Sequence, residues 1–212
     1  MKLLILGGTG GTGRQLVEQA LAAGHDVTAL VRDPTTAGLA AHAKLTLVKG
    51  RATDAGEIAA AVAGHDAVLS ALGPRKNMDP ISAEAAKATV EAMKRQGVKR
   101  LVWLSAGGVG DSAPQLVRES FVFGKIIMPL FLKHPYANHA IAEDIVRGSG
   151  LDYTIVRPVQ LVDKKTAGTL TAVPIGDAKV HGLKISRHDV AAWMLGEVTA
   201  NKFVGAAPIL HA

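Results

Sequence analysis

Seven residues near the start of the chain, Gly7-Gly8-Thr9-Gly10-Gly11-Thr12-Gly13, directly follow the apolar run Leu3–Leu6 and open a helical pattern. Gly7, Gly10 and Gly13 give G-x-x-G-x-x-G, and the strand–turn–helix setting is the one a dinucleotide-binding loop requires. Gly7 would permit the tight turn, Gly10 the approach of backbone to a pyrophosphate, and Gly13 the packing of helix on strand. Thr9, Gly11 and Thr12 complete the loop, whose free N–H groups and helix dipole suit phosphate. Arg32 stands 19 residues beyond Gly13, at the end of the second apolar run. A guanidinium there can clamp a 2′-phosphate in a bidentate way, and Arg14 is a second candidate for the same group. The expected cofactor is therefore NADP(H). The competing reading gives the adjacent Asp33 to a free ribose hydroxyl and leaves Arg32 on the surface.

Three polar residues could handle the acceptor end. Ser105 follows the fifth apolar run and could orient a carboxamide or an acceptor oxygen, or be a satisfied strand-end hydroxyl. Tyr136 and His139 could donate a proton, imidazole titrating near neutrality. His139 reads equally as a helix-surface histidine. His134 and His139 have no third ligand at helical spacing, so no metal is expected.

The elements around these residues follow from periodicity. Leu3–Leu6, Val27–Val31, Leu45–Val48, Ala67–Leu72 and Leu101–Leu104 are continuous apolar runs, as strands covered on both faces should be. Between them lie helical patterns: Gly11 to Ala23 with Leu16, Ala20 and Ala23 on one face, a segment from an Asp54 N-cap to Gly64, and Ile81 to Gln96 with Ile81, Ala85, Ala88 and Ala92 aligned. Ser105 to Pro114 reads as a loop, Tyr136 to Gly148 as a helix, and Tyr153–Val156 as a strand. A last helix starts near Ser186, with Val190, Met194 and Val198 on one face. Trp103 and Trp193 are expected to be packed. The alternation implies an α/β fold: a Rossmann-like doubly wound parallel sheet with a small C-terminal cap.

Composition bounds the rest. The 212 residues are expected to form a single domain over 1–212, with a cap from about 106–135 and 158–185. With no cysteine, thiol redox chemistry is excluded, and any electron transfer needs a bound cofactor. The net charge of +6 suits an anionic partner, but with 4% aromatics and no Lys/Arg-rich helix no nucleic acid is expected. No apolar run is long enough for a membrane span or a signal peptide, so a cytoplasmic monomer or homodimer is expected. Phe121, Phe123, Ile126, Ile127, Met128, Phe131 and Leu132 form an apolar segment that would be a lid, with Arg118 or Lys125 meeting acidic groups, or a core or oligomer-facing helix.

The glycine loop with Arg14 and the segment Gly24 to Arg32 resemble the atypical short-chain dehydrogenase/reductases of the NAD(P)H-binding type. So do Gly64 to Val68, Gly97 to Val102, Ser149 to Pro158, and Ile185 to Ala191. Within that group the layout is most similar to the biliverdin-IXβ/flavin reductases, through Leu72-Gly73-Pro74-Arg75 and the approach to Ser105-Ala106. The resemblance implies reduction of a flavin, a tetrapyrrole or a quinone-like acceptor. It puts Leu72 and Gly73 along the ribose, Ser105 beside the nicotinamide, and Pro158 at the cofactor. Gly50 is followed by Arg51 where relatives carry Asp, which leaves Asp54 or backbone for the adenine. The Tyr-x-x-x-Lys acid of ordinary members is missing, since Tyr136 is followed by Ala137-Asn138-His139-Ala140. A second function class stays open: a non-catalytic NADP(H)-binding sensor of the nitrogen metabolite repression type.

Overall fold

Leu3, Leu4, Ile5 and Leu6 are all completely buried, because helices cover both faces of the strand they form. The computed structural model describes residues 1–73, 80–119, 133–164, 169–176 and 179–212. In chain order the elements are β1 (Lys2–Leu6), α1 (Gly11–Ala22), β2 (Asp26–Val31), β3 (Leu45–Lys49), α2 (Ala55–Val62), β4 (Ala67–Ser70), α3 (Ser82–Gln96), β5 (Arg100–Leu104) and α4 (Ala113–Glu119). Then come α5 (Lys133–Arg147), β6 (Asp152–Pro158), β7 (Gln160–Val162), β8 (Thr171–Val173), β9 (Lys184–Ser186), α6 (Arg187–Ala200) and β10 (Ile209–His211).

The eight-stranded sheet runs β3-β2-β1-β4-β5-β6-β10-β8. Neighbours are parallel as far as β10, and β8 closes the edge antiparallel to it. β7 and β9 form a separate parallel pair. The fold is thus the Rossmann-like doubly wound sheet the alternation implies. Strand order reverses between β1 and β4, which opens a crevice at the carboxyl ends of the strands. α1 and α6 cover one face, over Leu3, Ile5, Val102 and Leu104. α2, α3 and α5 cover the other, over Leu4, Leu6, Leu101 and Trp103.

Several expectations need correction. α5 begins at Lys133 rather than Tyr136, and β6 runs on to Pro158. β4 stops at Ser70, so Ala71 and Leu72 belong to the loop beyond it. The stretch read as loop to Pro114 holds a 3-10 turn at Gly110–Ser112 and the first residues of α4. Ala23 is the exposed C-cap of α1, and Val17 takes its place on the buried face. Trp103 is fully buried, and Trp193 packs on Phe203 with ring centroids 5.5 Å apart. The lid segment and Lys125 lie outside the described residues. Arg118 donates to the carbonyl of Gly176 at 2.9 Å. Among the described residues no helix is long and apolar enough to cross a membrane, and no His, Asp and Glu side chains are grouped to hold a metal ion.

Candidate active site

The glycine loop is built by close approach. Gly7 has φ +78°, and a Cβ on it would stand 2.8 Å from the carbonyl oxygen of Ala71, just beyond β4. A Cβ on Gly13 would stand 2.0 Å from the carbonyl oxygen of Gly7. Gly10 donates its N–H to that same oxygen at 2.9 Å and is the N-cap of α1. Among the described residues no side chain caps this helix, and its first turn holds no acidic residue, so the dipole end is open to an anion. Thr12 is buried in that first turn, whereas Thr9 and Gly11 face outward to differing degrees.

A cleft of about 530 Å³ opens beside the loop, lined by Thr9, Gly10, Arg14, Val31, Arg32, Asp33, Thr36 and Ala37. Here the two candidate selectors separate. Arg32 is exposed on the cleft. Asp33 caps the 3-10 turn Pro34–Thr36, accepting from the Thr35 N–H at 2.9 Å, the Thr35 hydroxyl at 2.7 Å and the Thr36 hydroxyl at 3.2 Å. The Thr35 bonds hold its carboxyl below the usual carboxylate range. Arg14 corrects a simpler expectation. Its guanidinium donates to the carbonyls of Thr9 (3.2 Å), Ala37 (2.8 Å) and Gly38, so it braces the cleft wall as well as adding charge. Asp54 caps α2 through the N–H groups of Gly56 and Glu57, each at 2.9 Å, which turns its carboxylate to its own helix.

The far end of the crevice gathers Ser105, Gly107, Tyr136 and Pro158, and His139 follows Tyr136 by three residues on α5. Beyond β5, the N–H of Ser105 donates to Val156 and that of Gly107 to Pro158, both at 2.8 Å. Ser105 is buried, and its Oγ has no hydrogen-bond partner among the described residues. Tyr136 donates its hydroxyl to the carbonyl of Gly107 at 3.0 Å, and burial pushes its pKa up to about 12. Leu72 is half-buried and Gly73 exposed, following β4 where its backbone abuts Gly7.

His139 is not a surface residue. It is 4% exposed, its Nδ1 has no partner among the described residues, and burial lowers its pKa to about 4. It is therefore neutral at physiological pH, and neither it nor Tyr136 is a strong acid there. Between pH 4 and 6.5 the unfolded chain takes up a proton at this residue that the folded chain refuses. This contribution to stability is intact above pH 6.5 and is lost as pH falls toward 4. Going from pH 8 to 5 should cost about 2 kcal/mol through this group. Urea melts at the two pH values measure it, and His139→Gln should shrink the difference between them.

Sequence reasoning missed the group that fixes α5. Arg157 in β6 is completely buried and pairs with buried Glu143 of α5, Nε to Oε1 at 3.0 Å and Nη2 to Oε2. Arg157 Nη2 also meets Asp111 at 2.6 Å, and Arg147 stands 3.4 Å from Asp111. An arginine inside the apolar run Ile155–Pro158 was the available signal, since a buried cation needs a carboxylate.

The family model described as NAD(P)H-binding matches residues 7–201. The chain belongs to this NAD(P)H-binding family. The NAD(P)H-binding protein is 30% identical to an uncharacterized chloroplastic protein of Arabidopsis thaliana over 184 residues, 82% of this chain and 64% of that one. It spans between 32% and 64% of the lengths of the first four curated relatives. Among solved structures, ChuY of Escherichia coli O157:H7, described as an anaerobilin reductase, is 25% identical with a TM-score of 0.77, over 100% of this chain and 97% of that one. A wide-type short-chain dehydrogenase/reductase of Veillonella parvula, in complex with NADP, shares the fold at 20% identity with a TM-score of 0.83, over 100% of this chain and 94% of that one.

Proposed function

We propose that this protein is an NADP(H)-dependent reductase delivering hydride to a flat, conjugated acceptor of the flavin, quinone or tetrapyrrole kind. One observation carries the cofactor choice: Arg32 is exposed on the cleft while the neighbouring Asp33 carboxylate is already bonded to Thr35 and Thr36. A free ribose hydroxyl calls for an available carboxylate, and a 2′-phosphate for an available guanidinium. The residues present suit the dinucleotide. Gly7, Gly10, Gly11 and Gly13 form a cradle that a Cβ would fill, Thr9 and Thr12 flank it, and the α1 N-terminus offers N–H groups. Leu72 and Gly73 would run along the ribose. Ser105 Oγ, buried without a partner among the described residues, is available to a carboxamide beside Pro158. Asp54 would contribute through the helix end it caps.

When bound, the reduced nicotinamide supplies the hydride. The chain's own task is to orient the two reactants and exclude water. Tyr136 directs its proton at Gly107 and so positions the Ser105–Gly107 loop; His139 contributes a neutral, buried wall. A simple ketone needs an acid at its developing alkoxide, whereas a conjugated acceptor spreads the charge and takes its proton from water. With Tyr136 and His139 in these states, the second class fits. We take the chain as one unit in which the described parts of 106–135 and 158–185 cap the acceptor. ChuY's description as a reductase agrees with this assignment.

Arg32→Ala tests the carrying observation. Loss of a charge-assisted phosphate contact should raise the Kd for NADPH about 30-fold and leave that for NADH nearly unchanged, as read by nicotinamide fluorescence titration. Equal binding of the two dinucleotides by wild type, with no effect of the substitution, would return the selector role to Asp33.

A further inference from the structure

Arg32 approaches the glycine loop from the β2 side. A second arginine approaches it from the opposite side. α6 packs along α1 and against β5, and β5 lies across β1 from β2 in the strand order. Its first residue, Arg187, reaches the loop at Gly11. A Cβ on Gly11 would stand 2.7 Å from Cδ and 2.9 Å from Nε of Arg187. The guanidinium therefore lies on the first residue of α1, beside the open helix N-terminus. Gly11 is needed here for close approach of a side chain, since its backbone is ordinary.

The partner of Arg187 is also informative. Nη1 meets Asp163 Oδ1 at 2.7 Å, just beyond β7. Asp163 is 88% exposed at its side chain and Arg187 29%. An ion pair so open to water is weak, and a doubly charged phosphate competes with it readily. Arg187 is thus a cation held over a phosphate-binding turn by a loose carboxylate, in contrast to Arg157 and Arg100, whose pairs are buried.

We propose that Arg187 is a phosphate ligand of the dinucleotide site, taking the nicotinamide-side phosphate across Gly11, with Asp163 holding it in place until that phosphate arrives. This rests on the NADP(H) reading above. The two arginines then divide the cofactor. Arg32 takes the 2′-phosphate at the adenosine end, and Arg187 the phosphate on the other side of the loop.

Two ligands separate these roles. NADPH carries both phosphates of the bridge, whereas 2′,5′-ADP carries the 2′-phosphate and the adenosine-side phosphate alone. Arg187→Ala should raise the Kd for NADPH about 10- to 100-fold and that for 2′,5′-ADP by less than about threefold. Arg187→Lys should fall between wild type and Arg187→Ala for NADPH. Arg32→Ala should weaken both ligands. Gly11→Ala should weaken NADPH binding in wild type by displacing Arg187, and add little in the Arg187→Ala background. Melting curves establish that each variant is folded. Unchanged NADPH affinity in Arg187→Ala, or equal weakening of both ligands, would overturn the proposal while leaving the cofactor reading intact. A wild-type protein that binds neither NADPH nor 2′,5′-ADP would instead remove the cofactor reading, and this inference with it.

Discussion

Replacing Glu143 with alanine should lower stability by about 3 kcal/mol, because it leaves the Arg157 charge buried without its main partner. The side chains of Arg157 and Glu143 are 1% and 3% exposed, so water cannot take over the lost bonds. Asp111 remains on Nη2 and keeps the loss at the lower end of the range for a broken buried pair. For a chain of this length the melting temperature should fall by roughly 6–12 °C. Glu143→Gln keeps the shape and one acceptor, and should lose about half as much. Asp111→Asn should cost less than about 1 kcal/mol, since Asp111 is half exposed. A Glu143→Ala protein melting within about 2 °C of wild type would mean that the pair contributes little. The ion pair ties α5 to β6, so its loss also loosens Tyr136 and His139 on the same helix.

Gly13→Ala should abolish NADPH binding at accessible concentrations, with a rise in Kd on the order of 100-fold or more. A methyl group there would sit 2.0 Å from the Gly7 carbonyl oxygen, which is backbone and cannot swing aside. Either α1 lifts from β1 or the turn at Gly7 opens, and both destroy the phosphate cradle. Overpacking of this kind should also cost on the order of 3 kcal/mol of stability. Gly10→Ala meets the same oxygen at 3.3 Å and should be milder on both counts. The check is a titration beside a thermal melt. Binding within about threefold of wild type in Gly13→Ala would show that the loop does not form the phosphate site.

The first half of the sheet is legible in the sequence because its central strands are apolar runs and its helices amphipathic, whereas the edge strand β3 is only partly buried. Leu3–Leu6 and Val27–Val31 are buried on two faces, and Asp54 and Ser186 cap the helices they precede. β7, β8, β9 and β10 are three residues each, too short to carry a periodic signal. What makes them strands is partners far along the chain, such as Ile209 beside Arg157.

The cofactor end of the site was readable for the same local reason. Glycines, helix start and Arg32 lie within one βαβ unit. Asp33-Pro34-Thr35-Thr36 also carried a usable signal, an Asp cap followed by proline at the first helical position, which commits the Asp33 carboxylate to Thr35 and Thr36. The acceptor end was less readable. The burial of His139 and the Tyr136–Gly107 bond depend on how α5 docks, and docking is set by Arg157 and Glu143 from separate elements. Arg187 was invisible as a loop neighbour, because 176 residues separate it from Gly11 and only the α1–α6 packing joins them.

The central claim is turnover by a conjugated acceptor without a strong protein acid. The direct measurement follows nicotinamide absorbance while the protein and NADPH are mixed, in separate runs, with FMN, riboflavin, a naphthoquinone, a linear tetrapyrrole and a simple ketone. At least one conjugated acceptor should oxidise NADPH, and the ketone should leave it unchanged. Rapid ketone reduction without flavin or quinone turnover would contradict the mechanism. Tight NADPH binding with no oxidation by any acceptor would contradict the enzyme assignment and make the protein a dinucleotide sensor.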